Sequence, residues 1–201
     1  MIVKRWMSKD FPKVKPSCTV RECLSKMRLY HTDACIVADD DDKFLGLVNK
    51  ASLSQMNLED PIEDAITFPD FYVRENDSVE EALLMFLENQ EPFLPVVDEN
   101  MKFSGVITLQ DFLESMLEVT AMDEPGSKIS LLLPDVPGSL KKVVNVLADN
   151  NMNILSVITI KEGEDKRRVV IKVDSKNAED VAKILEMYEI PYDYVVEEEG
   201  F

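Results

Sequence analysis

Two rhythms of apolar and polar residues run along this chain. Val79, Leu83, Phe86 and Leu87 recur at helical spacing and predict one buried helix face. Short apolar runs, Ala34-Cys35-Ile36-Val37 and Phe93-Leu94-Pro95-Val96-Val97, predict strands. Each is followed by a polar turn, 39–42 or 98–100, and by a second strand, 44–48 or 103–107, that runs into another helix. A capping box opens the helix before each pair: Thr19-Val20-Arg21-Glu22 and Ser78-Val79-Glu80-Glu81. There the hydroxyl accepts from the third helical amide while the glutamate reaches back to the cap amide. Residues 123–127, Asp-Glu-Pro-Gly-Ser, break helical pattern and read as a linker. Beyond them the rhythm predicts a strand over 128–134 and a helix over 139–150 with Leu140, Val143, Val144 and Leu147 on one face. Strands 153–161 and 166–174 follow around the turn 162–165, then a helix over 177–188 and a last strand over 191–197. That order, βαββαβ, is ferredoxin-like. Glu197-Glu198-Glu199 reads as a frayed acidic tail.

The first half repeats itself. Shifted by 59 residues without a gap, positions 14–53 give nine identical pairs, among them Val14/Val73, Glu22/Glu81, Asp39/Asp98, Phe44/Phe103 and Gly46/Gly105. Average composition would give roughly two or three. The register extends upstream through Val3/Ile62, Met7/Ile66 and Ser8/Thr67. Each copy is a β-α-β-β-α unit, and two such units pair about a pseudo-twofold axis because neither buries both faces alone. The fold class is therefore mixed α+β: copies over 1–59 and 60–122, a linker over 123–127, and a ferredoxin-like domain over 128–201.

Charge narrows the partners. The 201 residues carry a formal net charge of −17, spread unevenly: +2 over 1–59, −13 over 60–122 and −6 over 123–201. An acidic chain lacks the basic face that releases counterions from a phosphate backbone, so nucleic acid is not an expected partner. No apolar run approaches the ~18 residues of a membrane span. The amino terminus has neither an apolar core nor a small-residue cleavage site, and three cysteines make no disulfide framework, so a reducing cytoplasm is expected.

Phe93-Leu94-Pro95-Val96-Val97-Asp98, followed by Gly105-Val106-Ile107-Thr108-Leu109-Gln110-Asp111-Phe112, resembles the signature of tandem CBS domains, the pair called a Bateman module. The resemblance covers about residues 1–120. It implies that Thr108 meets a phosphate and Asp111 a ribose of an adenosine nucleotide or S-adenosyl compound. The residues themselves suit that task. A helix starting after Thr108 offers free amides and about half a positive charge to an anion. Asp111 has two acceptor oxygens for a diol, and Gly105 permits close backbone approach to a base. Thr-x-x-Asp is equally a capping box, which would only start a helix. The matching residues of the first copy are Asn49 and Ser52. A single hydroxyl at Ser52 does not hold a diol as a carboxylate does, so one nucleoside per pair is expected. Lys13, Lys15 and Lys50 are the candidate phosphate cations. If they are engaged elsewhere, AMP or an S-adenosyl compound is expected rather than ATP.

Asp135-Val136-Pro137-Gly138-Ser139-Leu140, followed by Asn153-Ile154, resembles an ACT domain over about 127–197. That resemblance implies dimerisation and amino-acid binding, with Asp135 toward an α-amino group, Gly138 allowing close approach, and Asn153 donating from a partner subunit. The order CBS-CBS-ACT is similar to the acetoin-utilisation protein family. It implies a non-enzymatic, homodimeric sensor acting on a partner enzyme; a purely structural dimerisation protein is the alternative. His31 reads as a helix-end residue, Cys23 and Cys35 as core, and 39–42 as a solvated turn rather than a metal loop; no metal is expected.

Overall fold

A computed structural model describes residues 1–89 and 91–200. The chain divides into two units, one of Met1–Leu113 and one from Glu114 onward.

The first unit contains the repeat. In the first copy, β1 (Lys13–Val14) lies parallel to β2 (Ala34–Ala38), which pairs antiparallel with β3 (Phe44–Asn49). The helices are α1 (Val20–Leu29) and the short α2 (Lys50–Leu53). The second copy has β4 (Val73–Arg74), α3 (Val79–Asn89), β5 (Phe93–Val97), β6 (Phe103–Thr108) and α4 (Leu109–Val119). Equivalent pairs recur in register: Val14 opposite Val37, and Val73 opposite Val96. Even the bulge repeats, between Val37 and Ala38 and between Val96 and Val97. Both capping boxes form, Glu22 N to Thr19 Oγ1 at 3.3 Å and Glu81 N to Ser78 Oγ at 3.1 Å, with each glutamate answering the cap amide.

The copies exchange their first segments. Ser8 N donates to Val106 O (2.8 Å) and Val106 N to Ser8 O (2.9 Å); 59 residues on, Leu47 and Thr67 make the same two bonds at 2.8 and 2.9 Å. Val3 is buried with Val73, Ala82, Phe86, Leu94 and Ile107 of the second copy, and Ile62 with Val14, Val20, Cys23 and Val48 of the first. A pseudo-twofold axis runs where Phe44 N meets Met101 O and Phe103 N meets Asp42 O, both at 2.8 Å. The repeated Asp39 and Asp98 shape the turns beside it. Asp39 Oδ1 accepts from the amides of Asp41 and Lys43, and Asp98 Oδ1 from those of Asn100 and Lys102.

The copies differ in one helix. α2 is a single turn, and Asn57 and Asp60 close a local turn beyond it, ahead of Pro61; α4 runs for 11 residues. One expected core position is corrected. Leu87 is 67% exposed, and Val79, Ala82 and Phe86 form the buried stripe of α3; at about 100° per residue Leu87 falls roughly 100° from the middle of that stripe.

The second unit is one antiparallel sheet in the order β10-β7-β9-β8 with two helices. Its elements are β7 (Gly126–Pro134), α5 (Lys141–Asp149), β8 (Ile154–Glu162), β9 (Lys166–Val173), α6 (Ala178–Met187) and β10 (Tyr194–Glu198). The connectivity is the expected βαββαβ. Ile129, Leu131, Leu133, Val169, Ile171 and Val173 alternate onto the core face, against Val143, Val146, Leu147, Val181 and Leu185 of the helices. β7 starts at Gly126, inside the expected linker, because Gly126 pairs with Glu198. Glu198 is thus a strand residue and not frayed: it pairs with Lys172 and Lys128.

Candidate functional site

Thr108 ends β6 and Asp111 stands one turn into α4. The Asp111 Oδ2 atom accepts from both the amide and the hydroxyl of Thr108, each at 2.7 Å, and Asp111 N donates to Thr108 Oγ1 at 3.1 Å. The two residues are half-buried and close a capping box. The geometry fixes the carboxylate at the start of a three-turn helix, where amides and the helix dipole favour an anion. In the first copy, Asn49 Oδ1 accepts from Ser52 N and Ser52 Oγ, both at 2.8 Å. The cap survives there, but α2 is a single turn and carries no carboxylate.

Gly105 is explained by the chain itself. A Cβ there would stand 2.6 Å from Ser8 O, and one at Gly46, where φ is +141°, would stand 2.5 Å from Thr67 O. Both glycines admit the exchanged segments. Ser8 and Thr67 are therefore the residues that local reading of the signature missed; their pairing at the 59-residue offset was the available signal.

The three candidate cations are engaged within the first copy. Lys13 Nζ meets Asp42 Oδ1 at 2.5 Å, Lys15 meets Asp40, and Lys50 Nζ meets Asp33 Oδ1 at 3.2 Å. Lys13 and Lys15 line a cavity of about 600 Å³ together with Lys26, Cys18 and Glu22. Lys13 also reaches a cavity of about 410 Å³ lined by both copies, with Lys9, Lys102 and Phe103. That cavity sits at the Phe103 end of β6, five residues and roughly 17 Å from Thr108 at the strand rise. Lys50 borders a third cavity, of about 460 Å³, with Arg28 and His31.

In the second unit, Asp135 forms a two-pronged pair with Arg167, at 3.0 and 3.2 Å, and the guanidinium holds its carboxyl below the usual range. Gly138 has φ +89°, the left-handed turn that favours glycine. Both border a cavity of about 240 Å³ with Thr159 and Lys141. Asn153 stands at the other end of β8, its amide on Asp174 Oδ1 at 2.9 Å. Nine strand residues separate the two ends, roughly 26 Å at the strand rise, so one copy does not bring Asn153 to Asp135.

Cys23 and Cys35 are fully buried in the core, and burial is the main reason the half-buried Cys18 thiol is pushed up to about 11. His31 ends α1 at φ 54°. Among the described residues, no group of three or more His, Cys, Asp or Glu side chains is placed to hold a metal ion, and no helix is long and apolar enough to cross a membrane.

Comparison with known proteins matches the CBS domain over residues 3–55 and 61–118, and the TTHA0829-like ACT domain over 125–191. A crystal structure of a CBS domain pair/ACT domain protein from Thermotoga maritima is 50% identical with a TM-score of 0.56, covering 59% of this chain and 98% of that one. CBSX2 of Arabidopsis thaliana, solved in complex with AMP, has a TM-score of 0.53 at 24% identity, over 59% of this chain and 97% of its own. At that identity the likeness concerns the fold. Inosine-5'-monophosphate dehydrogenase of Methanocaldococcus jannaschii is 31% identical over 109 residues, 53% of this chain. The chain spans only 22% of that enzyme's length. An uncharacterized 17.7 kDa protein of Acidianus ambivalens is 26% identical over 113 residues, 54% of this chain and 69% of its own. The duplicated unit, its glycine-gated exchange and the βαββαβ sheet thus lead to one conclusion: the chain belongs to the CBS domain family, carrying tandem CBS domains followed by a TTHA0829-like ACT domain.

Proposed function

We propose that the protein is a non-enzymatic sensor that binds one adenosine-containing ligand at Thr108 and Asp111. The observation that carries this reading is the difference between the copies. The second has a carboxylate at the start of a three-turn helix, and the first has Ser52 on a single turn. CBSX2, which shares the fold, holds AMP. Thr108 and the first amides of α4 would meet the phosphate, and Asp111 the ribose hydroxyls. The lysines offered for phosphate are committed to Asp42, Asp40 and Asp33, which favours AMP or an S-adenosyl compound over ATP. CBS/ACT architectures are usually non-catalytic.

The response would run through α4, which begins at the site and continues past Leu113 into the second unit. A ligand shifts such an equilibrium only by its differential affinity for two states, typically ~1–3 kcal/mol. We place the sensor in the cytoplasm as a homodimer acting on a partner enzyme; the domain order supports a relation to acetoin utilisation. A purely structural dimerisation protein is the second reading, favoured by the complete capping box that Thr108 and Asp111 already make.

Calorimetry with AMP, ADP, ATP and S-adenosylmethionine separates the two. Asp111→Asn is the informative variant, since its amide oxygen still caps the helix while the two-acceptor grip on a diol is lost. Loss of the heat with an unchanged melting point supports the sensor. Unchanged binding by the variant contradicts the site, and no saturable heat with any ligand supports the structural reading.

A further inference from the structure

The second unit buries a lysine that none of the roles above uses. Lys172 lies on β9 between Ile171 and Val173 but points to the opposite sheet face, and its side chain is 2% exposed. Its ammonium stands 3.0 Å from Glu198 Oε2 without hydrogen-bond alignment, and no other partner answers it among the described residues. An ammonium has three donors. The same carboxylate also takes Lys128 through Oε1. One acid thus serves two cations, leaving an excess of one positive charge, with Lys172 out of water and Lys128 a third exposed.

That charge borders a cavity of about 260 Å³. Lys128 and Glu198 border it beside Lys172, and the apolar walls are Met122, Ile158, Ile160, Val170 and Tyr194, with Ser156 at one end, where Ser156 Oγ donates to Thr120 O at 2.9 Å. At roughly 30 Å³ per water this space equals about eight waters, room for a small organic molecule. The walls are apolar and the charge excess is one, so the matching occupant carries a single negative charge and a short apolar tail. A phosphate dianion would exceed the available charge and leave the apolar walls uncovered. The cavity is separate from the Asp135–Gly138 loop: Ile158, Ile160, Val170 and Lys172 line it on one face of the sheet, while Thr159 and Val169, which border the loop's cavity, alternate onto the other.

We propose that this sheet face binds a small monocarboxylate with a branched apolar tail, its carboxylate on Lys172 and Lys128 and its tail against Ile158, Ile160 and Val170. The site is independent of the adenosine reading. It offers a second metabolite input on the ACT domain, away from the loop that resembles its amino-acid site.

Calorimetry of the full chain with isovalerate and with isovaleramide tests it. The two probes share the tail and differ in the charge. Isovalerate should saturate at one per chain, with the amide weaker by about tenfold or more, the scale of one charge-assisted hydrogen bond. Lys172→Met should abolish isovalerate binding. Should that variant fail to fold, Ile158→Glu decides the matter: the position is 36% exposed, so the fold tolerates it, while the added carboxylate should weaken binding about tenfold by like-charge repulsion. Equal affinity for acid and amide overturns the proposal. So does wild-type affinity in either folded variant, or no saturable heat with isovalerate, as expected if a second copy covers the face.

Discussion

Replacing Gly105 with alanine puts a methyl carbon 2.6 Å from Ser8 O and 3.4 Å from Met7 Sδ, and the near atom is backbone that cannot rotate away. The exchanged segment must move off β6. The bonds at risk are Ser8 N to Val106 O and Val106 N to Ser8 O, which anchor that segment to the second copy. Each contributes about 1 kcal/mol net, and overpacking a filled site costs about 1–3 kcal/mol, so with one of the two bonds broken the loss should be about 2–4 kcal/mol. For a unit of this size about 4 °C accompanies each kcal/mol, so the melting point should fall by roughly 8–16 °C. Gly46→Ala should cost more, since its φ of +141° adds backbone strain to a 2.5 Å approach. Differential scanning calorimetry with and without AMP is the assay. A glycine kept only to admit a base would lose the AMP-induced shift and keep the ligand-free melting point. A ligand-free change under about 1 kcal/mol would refute the packing argument.

Other consequences follow from the same geometry. Ser52→Asp gives the first copy the carboxylate it lacks at an exposed position, so stability should change by less than about 0.5 kcal/mol while AMP stoichiometry rises from one to two; stoichiometry staying at one refutes it. Glu198→Gln removes the acid shared by Lys172 and Lys128 and should cost about 3 kcal/mol at pH 7, the low end for a broken buried pair because Glu198 is 24% exposed. Burial pushes the Glu198 carboxyl up, but Lys128 and Lys172 outweigh it and hold it below the usual 4.5. A depressed carboxyl stabilises above its unfolded value and loses that contribution as pH falls through the folded one. The gap in melting point between wild type and Glu198→Gln should therefore close from pH 5 down to pH 3; a constant gap contradicts the pairing. Lys15→Ala and Lys50→Ala remove exposed ion pairs and should each leave the urea midpoint unchanged within measurement error; a clear downward shift contradicts this.

Much of this architecture was legible because the chain states it twice. Phe93–Val97 is buried at every position, so its apolar run reads as an inner strand, and the copy 59 residues earlier confirms the turn and the second strand. Capping boxes are local, and both formed. The exchange of first segments was not legible, since Ser8 meets Val106 across almost a hundred residues and no local periodicity encodes that pairing. At Gly105 the space that the signature offers to a ligand is taken by a carbonyl of the chain, Ser8 O. Leu87 fitted a helical stripe, but how far β5 reaches around α3 is a tertiary matter. The lysines were recognisable as cations, yet which carboxylate each would meet depends on β1 lying beside the 39–42 turn. Three consecutive glutamates look solvated; Glu198 is instead drawn into the sheet by Lys128 and Lys172 on neighbouring strands. The site itself is intermediate: Thr108 and Asp111 stand together as expected, in a geometry that serves a helix cap as well as a ribose.

A crystal grown with AMP puts the central claim to its most direct test. The account predicts one nucleoside per chain, with ribose hydroxyls on the Asp111 carboxylate, phosphate at Thr108 and the first turn of α4, and nothing at Ser52. Density for the nucleoside at Asn49 and Ser52, or at the Lys13 cavity with Asp111 untouched, would contradict it.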